Sequence, residues 1–149
     1  MRDRDVRNAI QTALTATGAF DAVWIFGLPE DRGTGASEQA MCAIIPQGSR
    51  QEDLWDSATA GGLVITSRVG LVLAYRHEDP QLRDEGAELL LDTAANALNG
   101  QDLGGQIFPQ TARVVQWDWQ PATVPERRIQ AVFSYQYICE GWDNYDVTP

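Results

Sequence analysis

The run that decides the fold is Arg128-Ile129-Gln130-Ala131-Val132-Phe133-Ser134-Tyr135-Gln136-Tyr137-Ile138-Cys139-Glu140-Gly141-Trp142. Its odd positions, Ile129 to Cys139, are apolar or aromatic, and its even positions, Gln130 to Glu140, are mixed and mostly polar. This period-two alternation lasts for about twelve residues, roughly twice an average strand. The spacing predicts one long strand, Arg128 to Glu140, with a buried face and a wet face.

Ala112 to Trp119 alternates in the same way, and the turn from Pro121 to Arg127 carries two prolines. The two runs predict an antiparallel hairpin that brings Val115, Trp117 and Trp119 near Phe133, Tyr135 or Tyr137. Upstream, Asp79-Pro80 is a helix start with a capping carboxylate and proline at the first helical position. Ala87, Leu90, Leu91, Ala94 and Leu98 continue it as an apolar stripe, with Asp84, Glu85, Glu88 and Asp92 on the wet side and Asn99-Gly100 as the stop. Before that helix, Leu63 to Arg76 reads as a long strand in which Gly70 marks a bend or a bulge.

The first half predicts a helix over Asp3 to Thr17, capped by Asp3 or Asp5 and stopped by Gly18, with Val6, Ile10, Ala13 and Leu14 on one face. Strands follow at Phe20 to Phe26 and at Ala40 to Ile45, the second closed by Pro46 and Gly48. Residues 28–37 read as a loop, and Ser49 to Ala60 as a short helix or a lid. The order α-β-β-β-α-β-β predicts an α+β fold: a mainly antiparallel sheet of about five strands packed by two helices in two layers. One domain over residues 1–142 and a polar tail at 143–149 are expected.

Composition narrows the function. The 149 residues are 44% hydrophobic and 21% charged, as in an ordinary globular chain. No apolar run approaches the roughly 18 residues of a membrane span, and no signal-peptide h-region opens the chain, so a membrane partner is not expected and the cytoplasm is the default compartment. Cys42 and Cys139 lie in separate apolar runs and read as buried reduced thiols. Lysine is absent, all 11 basic side chains are arginine, and the net charge is −10. That balance opposes tight nonspecific binding to nucleic acid.

Catalytic and metal constellations are sparse. His77, the only histidine, stands beside Glu78 and Asp79, a base and an orienter if this were a hydrolase. A strand-to-helix turn histidine explains the same residues. Gly33 and Gly35 lack the remainder of a phosphate loop. Glu52, Asp53 and Asp56 form an acidic cluster without a second ligand type. No catalytic residue, cofactor or metal is therefore expected. The aromatics of the last hairpin, with Arg113, Arg127 and Arg128 beside them, suit either a core or a protein interface.

Four features carry a family resemblance. They are the opening Val6-Arg7-Asn8-Ala9-Ile10 through Thr17-Gly18-Ala19-Phe20-Asp21-Ala22-Val23, and the long central strand followed by a helix ending Ala97-Leu98-Asn99-Gly100. The others are Arg127-Arg128 before the long alternating strand, and the closing Tyr135-x-Tyr137-x-x-Glu140-Gly141-Trp142. On these the chain resembles the tail terminator (tail completion, minor tail) proteins of long-tailed bacteriophages and phage-like gene transfer particles. The resemblance implies a non-enzymatic virion protein, assembled in the host cytoplasm, that forms a homo-oligomeric, hexameric ring. The ring would cap the tail tube protein, stop its polymerisation, meet the head-tail connector, and let DNA pass through an acidic lumen without specific binding. Arg113, Arg127, Arg128, Glu140 and Trp142 are the expected interface residues. Another neck, head-tail joining or tube component is the nearest alternative. A small ligand-binding protein or hydrolase using His77 is the alternative from another class.

Overall fold

The computed structural model describes residues 2–27, 39–51, 63–121 and 125–139, the side chains of Gln51, Leu63 and Cys139 excepted. Among these residues the elements are α1 (Arg2–Ala16), β1 (Ala22–Ile25), β2 (Ala40–Gln51), β3 (Leu63–Arg76), α2 (Pro80–Leu98), β4 (Arg113–Trp119) and β5 (Glu126–Cys139), with a 3-10 turn at Pro109–Thr111. The strands form a single sheet in the order β1-β2-β3-β5-β4. β1 runs parallel to β2, and every other pairing is antiparallel. This is the α+β architecture that the alternation and the two helical stripes predict.

Both helices lie on one face of the sheet. Val6, Ile10 and Leu14 of α1 and Ala87, Leu90, Leu91, Ala94 and Leu98 of α2 share one core with the odd residues of β3 and β5. Ile129, Ala131, Phe133, Tyr135 and Tyr137 are all at most 1% exposed, so the period-two reading of β5 holds residue by residue. Each large apolar side chain among them contributes about 1.5–3 kcal/mol by leaving water. On the other face, Met41, Ala43, Val72 and Ala74 form a smaller buried cluster against which Trp24 packs.

α2 starts as its sequence dictates. Asp79 is extended and its carboxylate accepts the Gln81 N–H at 3.0 Å. Arg83 is buried within the stripe and donates to Asp84 Oδ1 at 3.0 Å. Gly86 sits against Tyr75: a Cβ there would fall 2.2 Å from the ring, so glycine lets the helix approach β3. At the helix end the Asn99 side-chain oxygen accepts the Val114 N–H at 2.7 Å, tying α2 to the start of β4.

Pro46 and Gly48 do not close β2. The strand continues to Gln51 through a bulge, the register passing from Pro46↔Val69 to Gly48↔Arg68 with Gln47 as the extra residue. Gly70 is therefore not itself the bulge. It lies opposite, where a Cβ would stand 2.8 Å from Gln47 Nε2. The bulge inverts the alternation of β2: Ala40, Cys42 and Ile44 face the helices before it, and Ser49 faces them after it.

β1 is shorter than its apolar run, because Phe26 already adopts φ 67°. In the hairpin, Trp117 pairs with Ala131 and Trp119 with Ile129, while Tyr135 and Tyr137 extend beyond β4. A second bulge between Val114 and Gln116, together with closure of the turn by the Gln120 N–H to Arg128 O bond, sets this register. Cys42 is buried and free, and burial pushes its thiol far up. The segments 28–38, 52–62 and 140–149, with their expected loop, lid and tail, lie outside the described residues, as do Glu140 and Trp142.

Candidate functional site

Helix α1 begins one residue before the predicted caps, so Asp3 and Asp5 are in its first turn rather than ahead of it. Asp3 instead reaches across to the sheet. Its Oδ1 accepts from Ser67 Oγ at 2.8 Å, Tyr135 OH at 3.0 Å and Tyr137 OH at 3.1 Å, and its Oδ2 from Ser49 Oγ at 2.7 Å. Burial pushes the Asp3 carboxyl up, but the four hydroxyl donors outweigh it and hold the group below the usual carboxylate range. Burial, and then the Asp3 charge, push the Tyr135 phenol far up. Both acids keep the state the contact needs, one charged and one neutral. The site is a lock between the layers, in which the Ser49 and Ser67 hydroxyls also meet each other beside the carboxylate.

The edge of the sheet is the first exposed surface of note. β4 is an edge strand, and its Val115, Trp117 and Trp119 are 42%, 54% and 40% exposed. Arg127 lies over the Trp119 ring at 4.8 Å from its centroid, and its Nε is 3.8 Å from Asp84 Oδ1. Asp84 is therefore partnered, not simply a solvated helix residue. The opposite edge is covered in part, because Gln11 of α1 donates to the Val23 carbonyl of β1 at 2.8 Å.

The second surface is the helix-free face of the sheet. Pairing puts Gly48, Arg68, Ser134 and Arg113 in one row across β2, β3, β5 and β4. Arg50, Thr66 and Gln136 form the next row, in which Gln136 Nε2 donates to Thr66 Oγ1 at 2.9 Å. Gln47, Gly48, Arg50, Thr66 and Arg68 line a shallow depression of about 290 Å³ here. At the far end of the same face Glu126 is bracketed by Arg76 Nε at 3.3 Å and Arg128 Nε at 2.6 Å. Burial lowers the Arg128 guanidinium, though an arginine so placed stays charged.

The expected interface residues thus separate. Arg113 is exposed on the helix-free face and donates to the Gln110 carbonyl at 3.1 Å. Arg127 belongs to the helix side with Trp119, and Arg128 to the Glu126 cluster. Sequence reasoning missed Arg50 and the Asp3 lock, and did not mark Arg68 as an interface residue. Alternation along β3 pointed to Arg68, but the bulge that turns Arg50 outward and Ser49 inward had no signal beyond Gly48.

His77 Nδ1 accepts the Asp79 N–H at 2.9 Å, and the His77 backbone N–H donates to the Pro125 carbonyl at 3.0 Å. The Asp79 carboxylate caps α2, so it does not orient the imidazole. Among the described residues no three His, Cys, Asp or Glu side chains converge as metal ligands. No described helix is long and apolar enough to cross a membrane.

No family model matches the chain, and no curated protein does. Among solved structures, it is similar to a chain in the virion of a native gene transfer agent particle, with 16% identity, a TM-score of 0.49, and coverage of 93% of this chain and 92% of that one.

Proposed function

We propose that this protein is a structural assembly component of a tailed phage-like particle, a tail terminator that closes into a hexameric ring on the end of the tail tube. In that role it stops further addition of tube protein and offers its outer surface to the head-tail connector. It works by surface complementarity and not by catalysis. The reading starts from the sequence resemblance, and the α-β-β-β-α-β-β fold agrees with what that resemblance implies.

The observation that carries the reading is the edge of β4. An edge strand bearing exposed Val115, Trp117 and Trp119 is an aggregation liability for a chain that remains alone, and a contact surface for one that assembles. Neighbouring Arg113 and Arg127 are side chains of the type that anchor such contacts. By sequence, Glu140 and Trp142, which follow Cys139, belong to the same proposal. The net charge of −10 suits a lumen through which DNA slides without being gripped.

The test is assembly. Native mass spectrometry of the purified chain is expected to give a hexamer. Addition of the chain to polymerising tube protein is expected to halt growth, with rings at tube ends by electron microscopy. Tubes that grow to the same length with and without it would end the proposal. A basic lumen in the assembled ring would remove the DNA-passage element alone.

A further inference from the structure

Basic charge gathers on one face of this acidic protein. Among the described residues the helix-free face of the sheet carries Arg50, Arg68, Arg76, Arg113 and Arg128 against two carboxylates, Glu126 and Asp118. Glu126 is held between Arg76 and Arg128, and Asp118 pairs across to Gln130, two residues along β4 from the end of the bulge. The end of the face around Arg68 and Arg113 therefore holds arginine among Thr66, Ser134 and Gln136 with no described carboxylate in either row. Arg68 and Arg113 are both exposed and flank Ser134. Two strand spacings put their Cα atoms roughly 10 Å apart.

The outer face of α2 has the opposite character. Glu85, Glu88 and Asp92 are all exposed and follow one another at helical i, i+3, i+7 spacing, away from the buried stripe. Seven residues of helix span about 10.5 Å. The acidic stripe and the basic row thus match in length and are opposite in sign. Each also has an apolar neighbour to exclude water: Leu89, 64% exposed, beside the stripe, and Ile45, 36% exposed, opposite Gly70 near Arg68 on the helix-free face.

We infer that the Arg68–Arg113 row of one copy docks on the Glu85–Glu88–Asp92 stripe of α2 in a second copy of this chain. The two patches lie on opposite layers of the domain. Their union is therefore head-to-tail: each copy offers one patch to each neighbour, the contact type that closes rings or grows filaments. A polyanion such as nucleic acid would also favour the row. The self-contact is preferred because the chain itself presents the complementary stripe and its net charge repels nucleic acid. The inference rests on the ring reading above and supplies the contact for it.

The test is a charge swap read by sedimentation velocity at low and high salt. All four altered positions are exposed, and unchanged melting of each variant verifies the fold. The unmodified chain is expected to self-associate, less so as salt rises. R68E/R113E and E85R/E88R are each expected to weaken association about tenfold or more. An equimolar mixture of the two variants is expected to associate again, because each then carries the patch the other needs. A chain that stays monomeric at low salt overturns the inference. Association indifferent to both variants overturns it too, while leaving the ring reading in place. Charge-dependent association that ends in open filaments supports the contact and removes the ring. Binding of labelled DNA through Arg68 and Arg113 without self-association assigns the row to a polyanion and overturns the self-contact.

Discussion

The Tyr135 hydroxyl of β5 donates a 3.0 Å hydrogen bond to the Asp3 carboxylate of α1, across 132 residues of sequence. With Tyr137, Ser67 and Ser49 on the same carboxylate, this bond joins the first turn of α1 to the end of β2, the first half of β3 and the last third of β5. The Phe133, Tyr135 and Tyr137 rings stand in a ladder at centroid spacings of 5.8 and 6.1 Å, so the two phenols arrive together.

Asp3→Ala leaves the Tyr135 hydroxyl buried without its acceptor. Hydrogen bonds to charged groups contribute about 1.5–3 kcal/mol. The variant should lose about 2 kcal/mol, and Tyr135→Phe about half of that, because it removes a donor and leaves three others on the carboxylate. Thermal melts should show a fall of several degrees for Asp3→Ala. A double-mutant cycle with Tyr135→Phe should be clearly non-additive. Additive effects would mean that the two groups do not share an interaction.

The same contact sets a pH response. The Asp3 carboxyl is lowered in the folded state, so its contribution is present above the unfolded carboxylate pKa of about 3.9 and is lost as pH falls through the folded value. The Tyr135 phenol is raised, so its contribution is present below the unfolded tyrosine pKa of about 10 and declines above it. Asp3→Asn should flatten the acid limb of the stability profile, and Tyr135→Phe the alkaline limb. Urea melts across the pH range check both. Unchanged limbs would assign the pH dependence to other groups.

Gly86→Ala sets two effects against each other. Helix propensity favours alanine by about 1 kcal/mol. The added Cβ would stand 2.2 Å from the Tyr75 ring, an overpacking that costs about 1–3 kcal/mol. The expected net change is destabilisation. Removing the ring with Tyr75→Ala should turn the Gly86→Ala step into a gain. Denaturant midpoints of the four chains in this cycle decide it.

Trp117 and Trp119 separate assembly from folding. Trp117 is more than half exposed, so Trp117→Gln should change monomer stability by less than about 0.5 kcal/mol while weakening assembly. Trp119→Gln also loses its contact with Arg127, at a cost of about 0.5–1 kcal/mol. Comparing melts with sedimentation distinguishes the two. Equal loss of folding and assembly at Trp117 would return the β4 edge to a purely structural role.

The legible part of the fold was the part governed by short-range repetition. The alternation from Ile129 to Tyr137 identified both the strand and its buried face, since successive side chains of a strand must point to opposite sides. The Asp79-Pro80 start and the Leu90, Leu91, Leu98 stripe identified α2, because capping and helical period are local properties. The Trp117 and Trp119 pairings were less legible. A single bulge at Val115 moves the register by one residue, and a bulge needs no distinctive residue.

Local sequence pattern set the elements, their order and the two-layer class, and it placed aromatic and arginine side chains at the final hairpin. Tertiary structure alone decided which side chains meet. The extra residue at Gln47 turns Ser49 toward Asp3 and Arg50 to the opposite face, where it joins Arg68 and Arg113. It also decided that Asp3 would accept from the sheet instead of capping its own helix. Both outcomes depend on strand register and on the approach of α1 to the sheet, and these are fixed only when the whole core packs.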